Sequence, residues 1–353
     1  MITSSSKLAL LMEGYVRQRN GKMGFGLLRY GPSVAGCEIT CVVAPDEVGQ
    51  DLRALTGINT DAPIVGSVTE ARALGADTLV IAVATSGGVL PDIFRAHIVS
   101  ALQAGMSLVN GLHGRYAEIP EFVAALQPGA HIWDVRLEPS GLRSGRGLAK
   151  DLPCRRILTV GTDMAIGKMT ASLELDRGAR ARGVRSKFLA TGQIGICISG
   201  DGVPLDAVRV DFASGSIEML CEKYGYDNDV LWVEGQGSAL HPGSTAWIAL
   251  LRGSMPTDLI LVHKAGKSHL DNGLDSFLIP PLPDVVQLYE AVAAAGTGMP
   301  AAKVRGIALN CVDLADDQIA QAIADVEAAT GLPCDDVVFN NADKLLDALE
   351  LRV

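Results

Sequence analysis

Apolar runs of strand length alternate along the whole chain with segments whose apolar positions recur at helical spacing. The runs are continuous rather than alternating polar and apolar, which is the pattern of parallel strands buried on both faces. In the first half they predict strands at Lys7 to Met12, Glu38 to Ala44, Thr78 to Ala84, Ser107 to Asn110 and His131 to Arg136. Amphipathic helices are predicted at Pro91 to Ala104 and Ile119 to Leu126, with Gly or Pro marking their ends. Residues 1–137 therefore read as a Rossmann-like α/β domain. The stretch Glu138 to Pro153 (EPSGLRSGRGLAKDLP) is Gly-rich and basic, has no apolar period, and reads as a linker over 138–153. A second series fills 154–353, with strands at Ile157 to Val160, Ser186 to Thr191, Val230 to Val233, Leu259 to His263, Val304 to Leu309 and Val337 to Phe339. Its helices fall at Lys168 to Arg182, Asp284 to Ala295 and Asp316 to Ala329.

Composition narrows the class. At about 150 residues per domain, 353 residues make about two domains. Hydrophobic residues at 48% against 20% charged leave ample core material. Lys plus Arg number 30 against 40 Asp plus Glu, a formal charge of −10. That sign excludes broad contact with nucleic-acid phosphates or an anionic membrane, so an anionic ligand must be met by a local cluster of N–H groups and cations. The seven cysteines are scattered with no C-x-x-C pair, which argues against disulfides or zinc and fits a reducing cytoplasm. Leu8 to Met12 is too short for a signal peptide or membrane span, so no export is expected. A homo-oligomer is the expected assembly.

The strongest local signal is ILTVGTDMAIGKMT at 157–170: a buried-strand run, a loop from Gly161 to Gly167 and Lys168, then a helical pattern. This is a P-loop in its strand–loop–helix context, and it makes the second domain a P-loop NTPase-like parallel-sheet domain. Gly161, Thr162, Asp163, Ala165, Ile166, Gly167, Lys168, Met169 and Thr170 are the expected phosphate-holding stretch. Glycines let backbone N–H groups converge, the helix adds its positive end, and Lys168 adds a point charge. The residue after Lys168, a Mg²⁺-ligating Ser or Thr in nucleotide-hydrolysing loops, is Met169, with the hydroxyl displaced to Thr170. Such a loop suits phosphates that are held rather than cleaved, such as the diphosphate of coenzyme A.

Ligands of open α/β sheets gather at the carboxyl ends of strands. Glu234-Gly-Gln236 and His241 follow the Val230 to Val233 run, and Glu234 stands at a Walker-B-like or general-base position. Gln193 follows Ser186 to Thr191, and Lys264 and Lys267 follow Leu259 to His263 as the densest basic group of the domain. Asp211, in the stretch Val208 to Gly215 before a helix, is a cap or a base. The first domain offers Thr85 to Gly88, Asn110 to His113, Lys22 and Arg29, and Arg136, Arg143 and Arg146 surround the linker. The competing explanation is a turn for Gln193, a solvated loop for Glu234, Lys264 and Lys267, and a surface charge for Lys22, Arg29, Arg136, Arg143 and Arg146. Gly87-Gly88 lacks dinucleotide spacing, so NAD is not expected, and no metal-binding spacing or G-x-S-x-G elbow occurs.

GLLRYG, NGLH and DVR in the first domain and GTDMAIGKMT, ATGQIGI and VEGQGS followed by HPGS in the second, in this order, together resemble the two-domain DUF1611 family. That family has a Rossmann-like amino-terminal domain and a carboxy-terminal P-loop domain similar to dethiobiotin synthetase, and the likeness covers essentially the whole chain. The resemblance implies D-glutamate N-acetyltransferase activity, with acetyl-CoA as co-substrate, D-glutamate as acceptor in D-amino-acid catabolism, and no metal. On that reading the loop holds CoA, and Glu234, then His241 or Asp211, removes the substrate proton. Gln193, Gln236, Lys264, Lys267 and Arg143 hold the substrate. The P-loop alone leaves a Mg²⁺-dependent, ATP-using kinase or ligase of the dethiobiotin synthetase-like class as the alternative.

Overall fold

The computed structural model describes residues 1–271, 273–296 and 298–351. They form two compact units. The first comprises Met1–Glu138 and Gln193–Ala207; the second comprises Pro139–Gly192 and the chain from Val208 onward.

The first unit is a six-stranded sheet of β1 (Lys7–Leu11), β2 (Glu38–Val43), β3 (Ile64–Val65), β4 (Thr78–Ile81), β5 (Ser107–Asn110) and β6 (Ile132–Asp134), in the order β3-β2-β1-β4-β5-β6. Every pairing is parallel, and the order is that of the Rossmann fold. Each apolar run is a strand for the reason the pattern suggests: Leu8 to Leu11 and Leu79 to Ile81 are wholly buried between helical layers. The second sheet has β7 (Arg155–Gly161), β8 (Ser186–Leu189), β9 (Val230–Val233), β10 (Asp258–Lys264), β11 (Lys303–Asn310) and β12 (Cys334–Asp335), in the order β12-β11-β10-β7-β9-β8, again all parallel. Trp232, fully buried on β9, satisfies its indole N–H at Ser186 Oγ, 2.9 Å away. The chain after β7 runs out to β8 and returns through β9, then crosses to β10 on the other side of β7. The carboxyl end of β7 is therefore the switch point at which such sheets bind ligands.

Four expectations change. The stretch 138–153 is not a free linker: the buried Glu218 carboxylate accepts the N–H groups of Arg146 (3.1 Å) and Leu148 (2.8 Å) and fixes the segment to the helix Val210–Gly225. Gly215 lets the segment approach, since a Cβ there would lie 1.7 Å from Arg143 O. Residues 193–207 leave the second unit altogether, and their helix Gln193–Ser199, where the sequence suggested a turn, packs on the helix Lys22–Val34 of the first. Val337 to Phe339 is a turn and not a strand, because the Asp336 carboxylate captures the Val338 and Phe339 N–H groups at 2.9 and 3.0 Å. The Val208 to Gly215 stretch does not precede a helix but supplies its first turns.

All seven cysteines are free and buried. Among the described residues no helix is long and apolar enough to cross a membrane.

Candidate active site

The loop after β7 turns into the helix Lys168–Ala181 through two left-handed residues, Ala165 (φ 53°) and Gly167 (φ 110°). Thr162 to Ile166 put five residues between Gly161 and Gly167, one more than the four of a standard P-loop, so Thr162 stands where that motif has its first glycine. The backbone N–H groups of Ala165 through Thr170 find no acceptor among the described residues. Unclaimed donors at the head of a 14-residue helix form an anion cradle.

Not every residue of the stretch faces a ligand. Ile166 is a core side chain at 1% exposure, and its carbonyl is held by Asn310 Nδ2 at 2.9 Å. Thr162 is buried against His263, Oγ1 to Nδ1 2.9 Å. Burial holds that imidazole down at about 4, helped by the charge of Lys267, so it is neutral at pH 7. Asp163 is fully buried and braces the loop: its carboxylate accepts from Met164 N–H (2.7 Å) and Asp271 N–H (2.8 Å) and pairs with Lys267 Nζ at 3.3 Å. Met169 and Thr170 are half-buried in the first helical turn.

Lys168 Nζ donates to Asp163 O at 2.6 Å. Its stem passes between two glycines: a Cβ on Gly161 would lie 3.1 Å from Lys168 Cδ, and one on Gly235 3.0 Å from the same atom. Burial lowers its ammonium to about 8, against the charges of Asp163 and Glu234, which raise it. Glu234, 3% exposed just past β9, faces the same charge. Its Oε2 accepts the N–H groups of Thr191 (2.8 Å) and Gly192 (3.1 Å), and the Gln236 amide adds a bond. Burial nevertheless pushes the carboxyl up to about 7. A carboxylate and an amine titrating within a unit or so of neutrality, side by side at a switch point, are suited to proton transfer. Tyr289 locks the two loops together, donating to Gly161 O (2.7 Å) and accepting from Ala239 N–H (2.9 Å).

The structure thus gathers Lys168, Glu234 and Gln236 around the loop, and leaves the other candidates in different settings. His241 is buried, its Nδ1 accepting from Gly243 N–H at 3.0 Å and its Nε2 without a partner among the described residues. Asp211 is exposed on the first turn of its helix and caps nothing. Arg143 is spent on Glu218 (3.0 Å) and Glu222. Lys264 pairs with Asp313, and Lys267 with Asp163 and Asp271. Gln193 belongs to the first unit. Sequence reasoning passed over Asn310, which the strand-end rule would have found, and Tyr289, which lies mid-helix with no local signal.

Fold and site define a P-loop protein with unclaimed N–H groups at its loop and a buried lysine and glutamate that feel each other's charge, joined in one chain to a Rossmann-like unit. Residues 143–346 match the domain of unknown function described as the DUF1611 P-loop domain, and 45–138 match its Rossmann-like amino-terminal domain. The chain belongs to the DUF1611 family. It is 38% identical to a D-glutamate N-acetyltransferase of Tritonibacter scottomollicae, over 80% of this chain and 84% of that one. It is 34% identical to a D-glutamate N-acetyltransferase of a Pseudoalteromonas species, over 79% and 83%. A crystal structure of a DUF1611 family protein from Anabaena variabilis superposes with a TM-score of 0.93 at 52% identity, covering 98% of this chain and 99% of that one. With such relatives this chain is an enzyme of the acyltransferase class.

Proposed function

We propose that the enzyme moves the acetyl group of acetyl-CoA to the amine of D-glutamate, as a step of D-amino-acid catabolism. The observation that carries the donor is the row of unclaimed N–H groups from Ala165 to Thr170, with Lys168 beside them and Met169 where nucleotide-hydrolysing loops carry a metal-ligating hydroxyl. Such a cradle fits the diphosphate of CoA, which the reaction leaves whole. The acceptor is inferred from the names of the two curated relatives.

In this reading Glu234, whose carboxyl titrates near 7, takes a proton from the substrate ammonium. The free amine then attacks the thioester carbonyl, forming the C–N bond. Collapse of the tetrahedral oxyanion breaks the C–S bond, the second proton of the attacking nitrogen passes to the departing thiolate to give CoA thiol, and Glu234 returns its proton to solvent. Met169, in place of the metal-ligating hydroxyl, disfavours the ATP-using alternative, which needs Mg²⁺ at the loop.

The test is incubation with acetyl-CoA and D-glutamate while free thiol and N-acetylglutamate are followed. Equal release of both, without ATP and unchanged by EDTA, is expected. A requirement for ATP, or loss of turnover with chelator, would overturn the reading.

A further inference from the structure

The cations that follow β10 in the second unit are already paired with carboxylates, Lys264 with Asp313 and Lys267 with Asp163 and Asp271. In the first unit, by contrast, a set of groups at the carboxyl edge of the sheet carries unspent positive charge. The loops after β4, β5 and β6 are built into one another there. His113 N–H donates to Gly88 O at 3.3 Å, and Gly88 (φ +62°) has no room for a side chain, since a Cβ would lie 2.1 Å from His113 Cδ2. Arg136, just past β6, donates from Nε to Gly111 O at 2.9 Å, and its Nη1 meets both the His113 ring (2.7 Å to Nε2) and the Asp206 carboxylate. The Arg136 side chain is only 13% exposed, and its Nη2 donates to nothing among the described residues.

Lys22 is the first residue of the helix Lys22–Val34 and has no hydrogen-bond or ion-pair partner among the described residues. Partial desolvation lowers its pKa, and the neighbouring Arg136 charge lowers it further. Two neighbouring cations with one half-exposed carboxylate, Asp206, bound to Arg136 leave one positive charge unbalanced. The nearby Asp134 does not supply the balance, because its oxygens are taken by Tyr116 N–H (3.0 Å), Ala117 N–H (3.0 Å) and Asn110 Nδ2 (2.8 Å). Gln193 completes the rim, its Cγ 3.6 Å from where a Cβ of Gly111 would stand. Like charges are held together at a folding cost that a bound anion relieves.

We propose that this edge of the Rossmann-like unit is a binding site for the carboxylate of a small ligand, gripped by Lys22 Nζ and Arg136 Nη2. The amino-acid acceptor and an unrelated small dicarboxylate share that chemistry. Equilibrium binding to the full-length protein without any acetyl donor separates them, using D-glutamate and succinate as probes. Because no turnover is read, failure here leaves the acyl-transfer reading standing, and failure of turnover leaves this proposal standing.

Lys22→Met, an exposed substitution, is expected to weaken carboxylate binding by roughly tenfold or more, and Lys22→Arg to recover most of it. Lys150→Met, at an exposed lysine outside both sites, is expected to leave it unchanged. If the loss falls on D-glutamate, the site belongs to the acceptor; if it falls on succinate alone, the site serves a separate effector. Wild-type protein that binds neither probe, Lys22→Met that binds both as wild type does, or an equal loss in Lys150→Met would each overturn the proposal.

Discussion

The two units present positive charge in opposite ways. Both are six-stranded parallel sheets whose candidate polar groups lie where strands end. In the second unit positive potential comes from backbone N–H groups and a lysine buried at 6% exposure, and the opposing carboxylate is buried as well. In the first it comes from the exposed Lys22 and the guanidinium of Arg136, with the backbone serving to aim the latter. A backbone cradle cannot be removed by one substitution but depends on glycines; a side-chain cluster can be removed by one substitution and tolerates change around it. The two regions should therefore fail differently when altered.

The largest expected effect is on chemistry. Glu234→Gln keeps the shape and the acceptor for Thr191 and Gly192 but removes the basic group, and kcat should fall by about 10²–10⁴. Steady-state kinetics with unchanged KM for acetyl-CoA would fit; wild-type kcat would move the base elsewhere. Next come the glycines. A Cβ on Gly235 would stand 1.8 Å from Thr159 O, a backbone atom that cannot step aside, so Gly235→Ala should cost about 3 kcal/mol or more in denaturant unfolding. A Cβ on Gly111 would press only on the flexible end of Met23, 2.3 Å away, with Gln193 Cγ at an ordinary 3.6 Å, and Gly111→Ala should cost about 1 kcal/mol. Equal losses in the two variants would erase the distinction drawn between the two edges.

Lys168→Ala should raise KM for acetyl-CoA by roughly tenfold and leave kcat less affected, because the N–H groups of the loop remain. The last effect is on the pH dependence of stability. The Glu234 carboxyl is raised by burial from its ordinary value to about 7, so its folded form favours the proton. Stability from this group is fully present below about pH 4.5 and is lost as pH rises through about 7. Glu234→Gln should therefore melt nearly like wild type near pH 4.5 and be more stable by about 3 kcal/mol at pH 8. A gap that instead closes toward high pH would show that Glu234 is stabilised as an anion.

Much of this was legible in the residues, and what was not has physical causes. Strands such as Val230–Val233 and Ser107–Asn110 have the bounds their apolar runs indicate, since burial on both faces leaves no polar position to blur the ends. Val337 to Phe339 has the same apolar look, but a neighbouring aspartate claims its N–H groups, and side-chain capture does not register in hydropathy. The helix Lys22–Val34 escaped because GKMGFGLLRYGPS is rich in glycine and carries Pro32, yet packing overrides propensity there. In the site, Lys168 and Glu234 stand where strand-end reasoning puts them. The pairing of Lys267 with Asp163, 104 residues apart as 267 minus 163, is invisible to any local pattern, and so is the crossing of 193–207 into the other unit.

The central claim is that the cradle at the start of the second unit holds the diphosphate of coenzyme A. A crystal structure of the full-length protein with CoA tests it most directly. Phosphate oxygens within hydrogen-bond distance of the N–H groups of Ala165 to Thr170, with Lys168 Nζ turned from Asp163 O toward them, is the predicted result. CoA bound elsewhere, with that loop and its lysine unchanged, would contradict it.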